Sequence, residues 1–122
     1  MNTTWRVIPG YENYEASDVG HVRRLAPGRG AVPGRVLEPW WAGGSSGSNY
    51  AYVRASAPGC PPEKIAVHVL VCLAFNGPRP RGHDCDHVDG NPANNRAENL
   101  AWTPRQVNLW KSQGRERSLD LE

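Results

Sequence analysis

Asp86 and His87 stand side by side, and Asn108 follows further along the chain. At the end of a strand, neighbouring side chains diverge to opposite faces or around the turn. A carboxylate there can hold a divalent cation while the adjacent imidazole faces a substrate. A helix following that strand would bring Asn108 back towards it. Asp86 and Asn108 would then offer two hard oxygen donors, a carboxylate and an amide carbonyl. Such a pair suits Mg²⁺ or Mn²⁺, which keep several waters and take remaining ligands from substrate phosphate. Imidazoles titrate near neutrality, so His87 could deprotonate a water aimed at phosphorus. The plainer reading is an Asn-rich surface loop whose His and Asp side chains cap turns.

The elements that must position these residues can be read from local signals. Four Asn lie between residues 91 and 99, and Asn side chains satisfy irregular backbone, so this stretch reads as an ordered loop. Strand pieces are expected on either side, at 85–88 and 100–103. Thr103 resembles an N-cap with Pro104 at the first helical position, predicting a helix towards Gln113. Upstream, the apolar run from Ile65 to Phe75 is closed by Asn76-Gly77-Pro78, which predicts a buried helix over 67–75. Strand character is expected at 14–16 and 21–25 around an Asp18–Gly20 turn, and at 35–41 and 50–55 around a Gly/Ser-rich tip. The expected class is α+β: a small antiparallel β module, residues 1–56, ahead of a second unit, residues 63–118.

Composition sets bounds on this reading. Of 122 residues, 13 are Gly and 11 are Pro, while five Trp and four Tyr supply the large apolar surfaces. Disorder requires high net charge and few aromatics, and the formal charge is only +2. A folded, loop-rich domain with a small core is expected. No apolar run approaches twenty residues, which argues against a membrane-spanning helix, and no signal peptide is apparent at Met1–Trp5. Three cysteines, Cys60, Cys72 and Cys85, form no CxxC pair and read as reduced thiols in a cytoplasmic protein. Residues 1–82 carry nine Lys/Arg against five Asp/Glu, and residues 83–122 carry five against seven. A basic front and an acidic back are compatible with phosphate binding before a metal site.

The segment Val67-His68-Val69-Leu70-Val71-Cys72-Leu73-Ala74-Phe75, followed by Asp86-His87-Val88-Asp89-Gly90-Asn91 and Asn94 to Trp102, resembles the HNH endonucleases of the phage homing type, which carry the ββα-metal motif. Ile8-Pro9-Gly10-Tyr11, Tyr14-Glu15-Ala16-Ser17 and Gly20-His21-Val22-Arg23 resemble a modular DNA-binding motif often found ahead of such nucleases. The resemblance implies that His87 is the general base and Asp86 a metal ligand. It implies that Asn99 ties the loop and orients His87 through a backbone contact, and that Asn108 replaces the last His of the motif as second metal ligand. That replacement favours Mg²⁺ or Mn²⁺ over Zn²⁺. The implied reaction is one-metal hydrolysis of DNA, by nicking or double-strand cleavage, to 5′-phosphate and 3′-hydroxyl ends.

Around this core stand weaker candidates. Arg23, Arg24, Arg35 and Arg54 on the expected sheet, Arg79 and Arg81 on the approach, and Arg96 and Arg105 flanking the motif form the set proposed to contact DNA phosphates. His68 either supports the site from behind or is a satisfied core histidine. A structural zinc set of His83, Cys85, His87 and Cys60 fits no tetrahedral spacing, and an EF-hand fails because Val88 occupies a position that needs an oxygen ligand. Asp89 before Gly90 reads as a turn residue. Trp5 and Trp102 are expected in the core, and Trp40 and Trp41 cannot both face one way along a strand. The alternative to an enzyme is a DNA-binding module with an inactive nuclease site. A specificity partner, such as a phage terminase, is conceivable by family analogy alone, and oligomeric state is open.

Overall fold

The structure is a computed structural model that describes residues 3–25, 33–43 and 49–105. Its elements follow as β1 (Trp5–Ile8), β2 (Tyr11–Ser17), β3 (Val22–Arg24), β4 (Trp40–Gly43), β5 (Asn49–Ala55), β6 (Glu63–Ala66), α1 (Val67–Asn76), β7 (His83–His87), a 3₁₀ turn at Ala97–Asn99 and β8 (Leu100–Pro104). All pairings are antiparallel: β1-β2-β3 form a first sheet, β4-β5-β6 a second, and β7-β8 a hairpin. The class is α+β, as expected.

The apolar run of α1 is buried because sheets surround it. Val67, Leu70, Val71 and Cys72 form one cluster with Ile8, Tyr14, Ala16 and Val22 of the first sheet, Ala51, Val53 and Ala55 of the second, and Cys85 and Leu100 of the hairpin. This single core explains how so few aliphatic residues suffice. Burying an apolar side chain is worth roughly 1.5–3 kcal/mol, and α1 contributes to the same small volume as all three sheets.

Local expectations meet the structure unevenly. The predicted helix over 67–75 is α1 to within one residue, ended by Gly77 at φ +80°. Ile65 and Ala66, at the head of the same apolar run, belong instead to β6, where they pair with Val53 and Tyr52 of β5. The strand expected over 35–41 is shorter and later: Val36 makes an isolated bridge to Arg23, and the ladder begins only at Trp40. Pro39 intervenes, and a residue without an N–H cannot join a ladder from both sides. Trp5–Ile8 is an additional strand, pairing with β2 across the Pro9-Gly10 turn.

The predicted cap at Thr103 and Pro104 is corrected. Both residues are in β8, where they pair with Asp84 and His83, so no helix can open before Arg105. The rest of that expected helix, including Asn108 and Gln113, lies outside the described residues. Trp5 and Trp102 are half-buried; Trp102 packs against the edge of the core, and Trp5 does not belong to it. Each ring carries a guanidinium instead, Arg23 at 4.0 Å from the Trp5 centroid and Arg79 at 5.3 Å from that of Trp102.

Candidate active site

The β7–β8 hairpin carries Asp86 and His87 to the edge of a cleft of about 450 Å³. Its walls come from Tyr50 and Tyr52 of β5, His68 and Val69 of α1, Arg79, Asp84 to His87 of β7, and Gly90 and Pro92 of the following loop. Alternation along β7 buries Cys85 and His87 and leaves Asp84 and Asp86 partly exposed. The strand ends at His87, so Asp86 and His87 still border the same cleft despite pointing apart.

His87 is 7% exposed, and three contacts fix its ring. Its Nε2 lies 2.8 Å from Asn95 Oδ1. Since an amide oxygen only accepts, Nε2 carries the proton in this bond, and Nδ1 is the acceptor nitrogen of the neutral ring. The His68 ring centroid sits 4.6 Å away and that of Tyr50 6.1 Å away. His68 Nδ1 is buried with no hydrogen-bond partner. Burial foremost, then the neighbouring His87 and Arg79, pushes the His68 pKa down to about 3, so this ring is neutral near pH 7.

The Asn-rich loop is ordered around Asp89. Its carboxylate accepts the backbone N–H of Asn91 and the side-chain amides of Asn99 and Asn94, at 2.8–3.0 Å. These bonds, with that from Asn94 the largest contributor, hold the Asp89 carboxyl below the usual carboxylate range. Asp89 is thus a turn residue and the hub of the loop. Buried Asn99 also accepts from Asp89 N at 3.0 Å and donates to Asn94 O at 2.9 Å, while its backbone carbonyl takes Val88 N. The side chain on the His87 ring is therefore that of Asn95; Asn99 ties the loop that carries Asn95 and bonds the residue after His87.

A second support comes from the first sheet. Gly20, in the Asp18–Gly20 turn with φ +97°, lies where a Cβ would stand 2.9 Å from Asn95 O. Beside it, Asp18 O accepts Ala97 N at 2.9 Å. The N-terminal sheet thus backs the loop that holds His87. Neither Asn95, Gly20 nor Tyr50 was identifiable as part of the site beforehand. The Asn-rich composition signalled a tied loop, but which Asn reaches the imidazole depends on its three-dimensional path.

The arginines divide by location. Arg79 lines the cleft, with its guanidinium 4.0 Å from Asp84. Arg105 is also bound to Asp84, at 3.2 Å, and Arg96 pairs with Glu98 at 3.5 Å. Arg23 pairs with Glu15 at 2.7 Å, and Arg24 donates to the Tyr14 hydroxyl at 2.9 Å. Arg35, Arg54 and Arg81 are exposed. Of these eight, only Arg79 is among the residues lining the cleft.

The donor chemistry fits a hard divalent ion. Asp86 places a carboxylate on the cleft wall. Among the described residues, no three His, Cys, Asp or Glu side chains form a cage. An ion held there would be completed by water and substrate oxygen, as Mg²⁺ and Mn²⁺ commonly are. Cys85 is engaged elsewhere, donating to His68 O at 3.4 Å, and contact with the Cys72 thiol together with burial keeps it protonated well above the usual thiol range. No helix among the described residues is long and apolar enough to cross a membrane.

Comparison with known proteins agrees with this geometry. Residues 66–109, from the end of β6 through the hairpin and beyond, match the family described as HNH endonuclease. Protein 3.8 of Escherichia phage T7 is 44% identical over 43 residues, covering 35% of this chain and 36% of that protein. Among solved structures, the chain resembles one described as DNA binding and cleavage by the HNH homing endonuclease I-HmuI. The TM-score is 0.68 at 28% identity, over 92% of this chain and 60% of that one. The chain thus spans about a third of the phage relative's length and under two thirds of the solved protein's. The ββ hairpin, its tied Asn loop and the Asp86-His87 pair all lie inside the segment that matches the HNH endonuclease family, and the fold is that of the solved homing endonuclease.

Proposed function

We propose that the protein is a metal-dependent DNA endonuclease that hydrolyses phosphodiester bonds, by nicking or double-strand cleavage, to leave 5′-phosphate and 3′-hydroxyl ends. The observation that carries this reading is the single 2.8 Å bond between His87 Nε2 and Asn95 Oδ1. It presents a buried imidazole with Nδ1 as its acceptor nitrogen, on the wall of the cleft that Asp86 shares. His87 takes a proton from water through Nδ1, the water oxygen bonds to phosphorus, and the P–O3′ bond breaks.

Asp86 would hold the divalent ion, with Asn108, which lies outside the described residues, as the proposed second ligand. When bound, Mg²⁺ or Mn²⁺ supplies Lewis-acid stabilisation of charge on the phosphate and the leaving oxygen. Arg79, which lines the cleft beside Asp84, contacts the phosphate. His68 and Tyr50 confine the His87 ring, and Asn99 keeps the loop beneath it closed. DNA as substrate is supported by the homing endonuclease resemblance and by cleft-side arginine.

The test is relaxation of supercoiled plasmid with Mg²⁺, with Mn²⁺ and with EDTA. Metal-dependent nicking is expected from the wild type, and none from His87→Ala, with DNA binding retained. Nicking that persists in pure His87→Ala protein overturns the assignment of the base. An inert wild type with either metal favours a binding module.

A further inference from the structure

The second sheet has an outward face that the chemistry above does not use. Along β5, Ala51, Val53 and Ala55 are buried, at 3%, 2% and 0% exposure, so alternation turns Tyr50, Tyr52 and Arg54 to the other side. Register places Trp40 of β4 opposite Tyr52, and Lys64 of β6 opposite Arg54. The Trp40 and Tyr52 rings are 6.2 Å apart, and Lys64 Nζ lies 4.5 Å from the Tyr52 centroid. Trp40 is 40% exposed, a large apolar surface left to water on the same face as Tyr52, while its neighbour Trp41, 49% exposed, turns to the other face. The acidic residue of this sheet, Glu63, pairs with buried Ala55 and belongs to the opposite face.

This strip runs into the active cleft. Tyr50 and Tyr52 line the cleft, and Tyr50 packs on both His68 and His87. Tilted aromatic rings flanked by Lys64 and Arg54, with the carboxylates Asp84 and Asp86 entering only at the cleft end, match one ligand chemistry well: planar bases strung on a phosphate backbone. Paired bases inside a duplex offer only their edges and cannot stack on a side chain, whereas unpaired bases expose their faces.

We propose that Trp40 and Tyr52 stack unpaired bases of the strand whose phosphate enters the His87 cleft, with Lys64 and Arg54 on its backbone. This rests on the nuclease reading and names its substrate class: DNA that is single-stranded or locally opened beside the cleaved bond.

The experiment uses full-length His87→Ala protein and three oligonucleotide targets of one sequence: a single strand, a perfect duplex, and a duplex with a central unpaired bubble. Anisotropy is expected to show the single strand and the bubble bound at least about tenfold more tightly than the duplex. Adding Tyr52→Ala or Trp40→Ala should remove about 5- to 150-fold of that affinity, the range stacking supplies per base, while Tyr52→Phe retains it. A 2-aminopurine in the bubble should be quenched on binding and released by Tyr52→Ala. Both side chains are at the surface, so a thermal melt checks that the variants stay folded. Equal affinity for all three targets, or loss with Tyr52→Ala that is the same on duplex and bubble, overturns the proposal. Cleavage by the wild type, measured in parallel, separates the two readings. Duplex cutting without bubble preference defeats the stacking strip alone, and Tyr52-dependent bubble binding with no cleavage of any DNA defeats the nuclease alone.

Discussion

At the scale of single residues, the Asn95 amide governs which nitrogen of His87 is free. Truncating it in Asn95→Ala leaves Nε2–H without its acceptor and the ring positioned only by its packing on His68 and Tyr50. Turnover should fall about 10- to 100-fold with little change in DNA affinity, the scale at which a misplaced catalytic group loses rate. Single-turnover nicking against binding by anisotropy checks the split. His68 makes a prediction of another kind. Its pKa in the fold is about 3, against an ordinary value of 6.5. The unfolded chain therefore takes up the proton first as pH falls. The stability this ring contributes is complete above roughly pH 6.5 and is lost progressively towards pH 3. Urea melts in EDTA across that range should show a shallower decline for His68→Phe than for the wild type. Parallel declines would show that His68 is not held neutral.

At the scale of elements, the loop after β7 is held from within by Asn99 and from behind by the Asp18–Gly20 turn. Asn99 is 7% exposed and makes three side-chain hydrogen bonds. Asn99→Ala removes all three bonds to the exposed Asp89 and half-buried Asn94 and should cost about 1–3 kcal/mol, read as a lowered urea midpoint. Gly20→Ala should be harmful in two separate ways. A φ of +97° costs an L-residue about 1–2 kcal/mol, and the new Cβ would push against the Asn95 backbone at 2.9 Å. Stability and nicking should fall together. Gly59→Ala is the control, since it shares the positive φ but has open space around it. It should lower stability only. Equal activity in Gly20→Ala and Gly59→Ala would show that the first sheet does not support the site.

Over the whole molecule, the two halves expected from composition share one core. Strand β6 pairs with β5 across the boundary between residues 56 and 63, and α1 packs on Ile8, Tyr14, Ala16 and Val22 of the first sheet. A fragment of residues 57–122 would lose the partner of β6 and expose the buried side of α1. It should show no cooperative thermal transition and no protected amides by hydrogen exchange, although it contains every proposed catalytic residue. A fragment that melts cooperatively would establish the second half as an independent domain.

The sequence by itself determined what depends on neighbours along the chain. The buried helix was legible because Asn76-Gly77-Pro78 closes an apolar run, and the tied loop because Asn and Asp satisfy nearby backbone. The adjacency of Asp86 and His87 allowed phosphate chemistry beside a plain turn-capping reading, and the resemblance to HNH endonucleases singled it out. What required the tertiary structure were pairings between distant residues. Whether Ile65 and Ala66 extend α1 or form β6 depends on β5 supplying ladder partners. Whether Thr103 caps a helix depends on Asp84 pairing with it first. That Asn95 and not Asn99 reaches the imidazole, that Gly20 backs it, and that Tyr50 flanks it all depend on how three sheets close around one helix. Local sequence sets conformational preference, but a catalytic geometry is fixed by packing between segments that the chain itself keeps far apart.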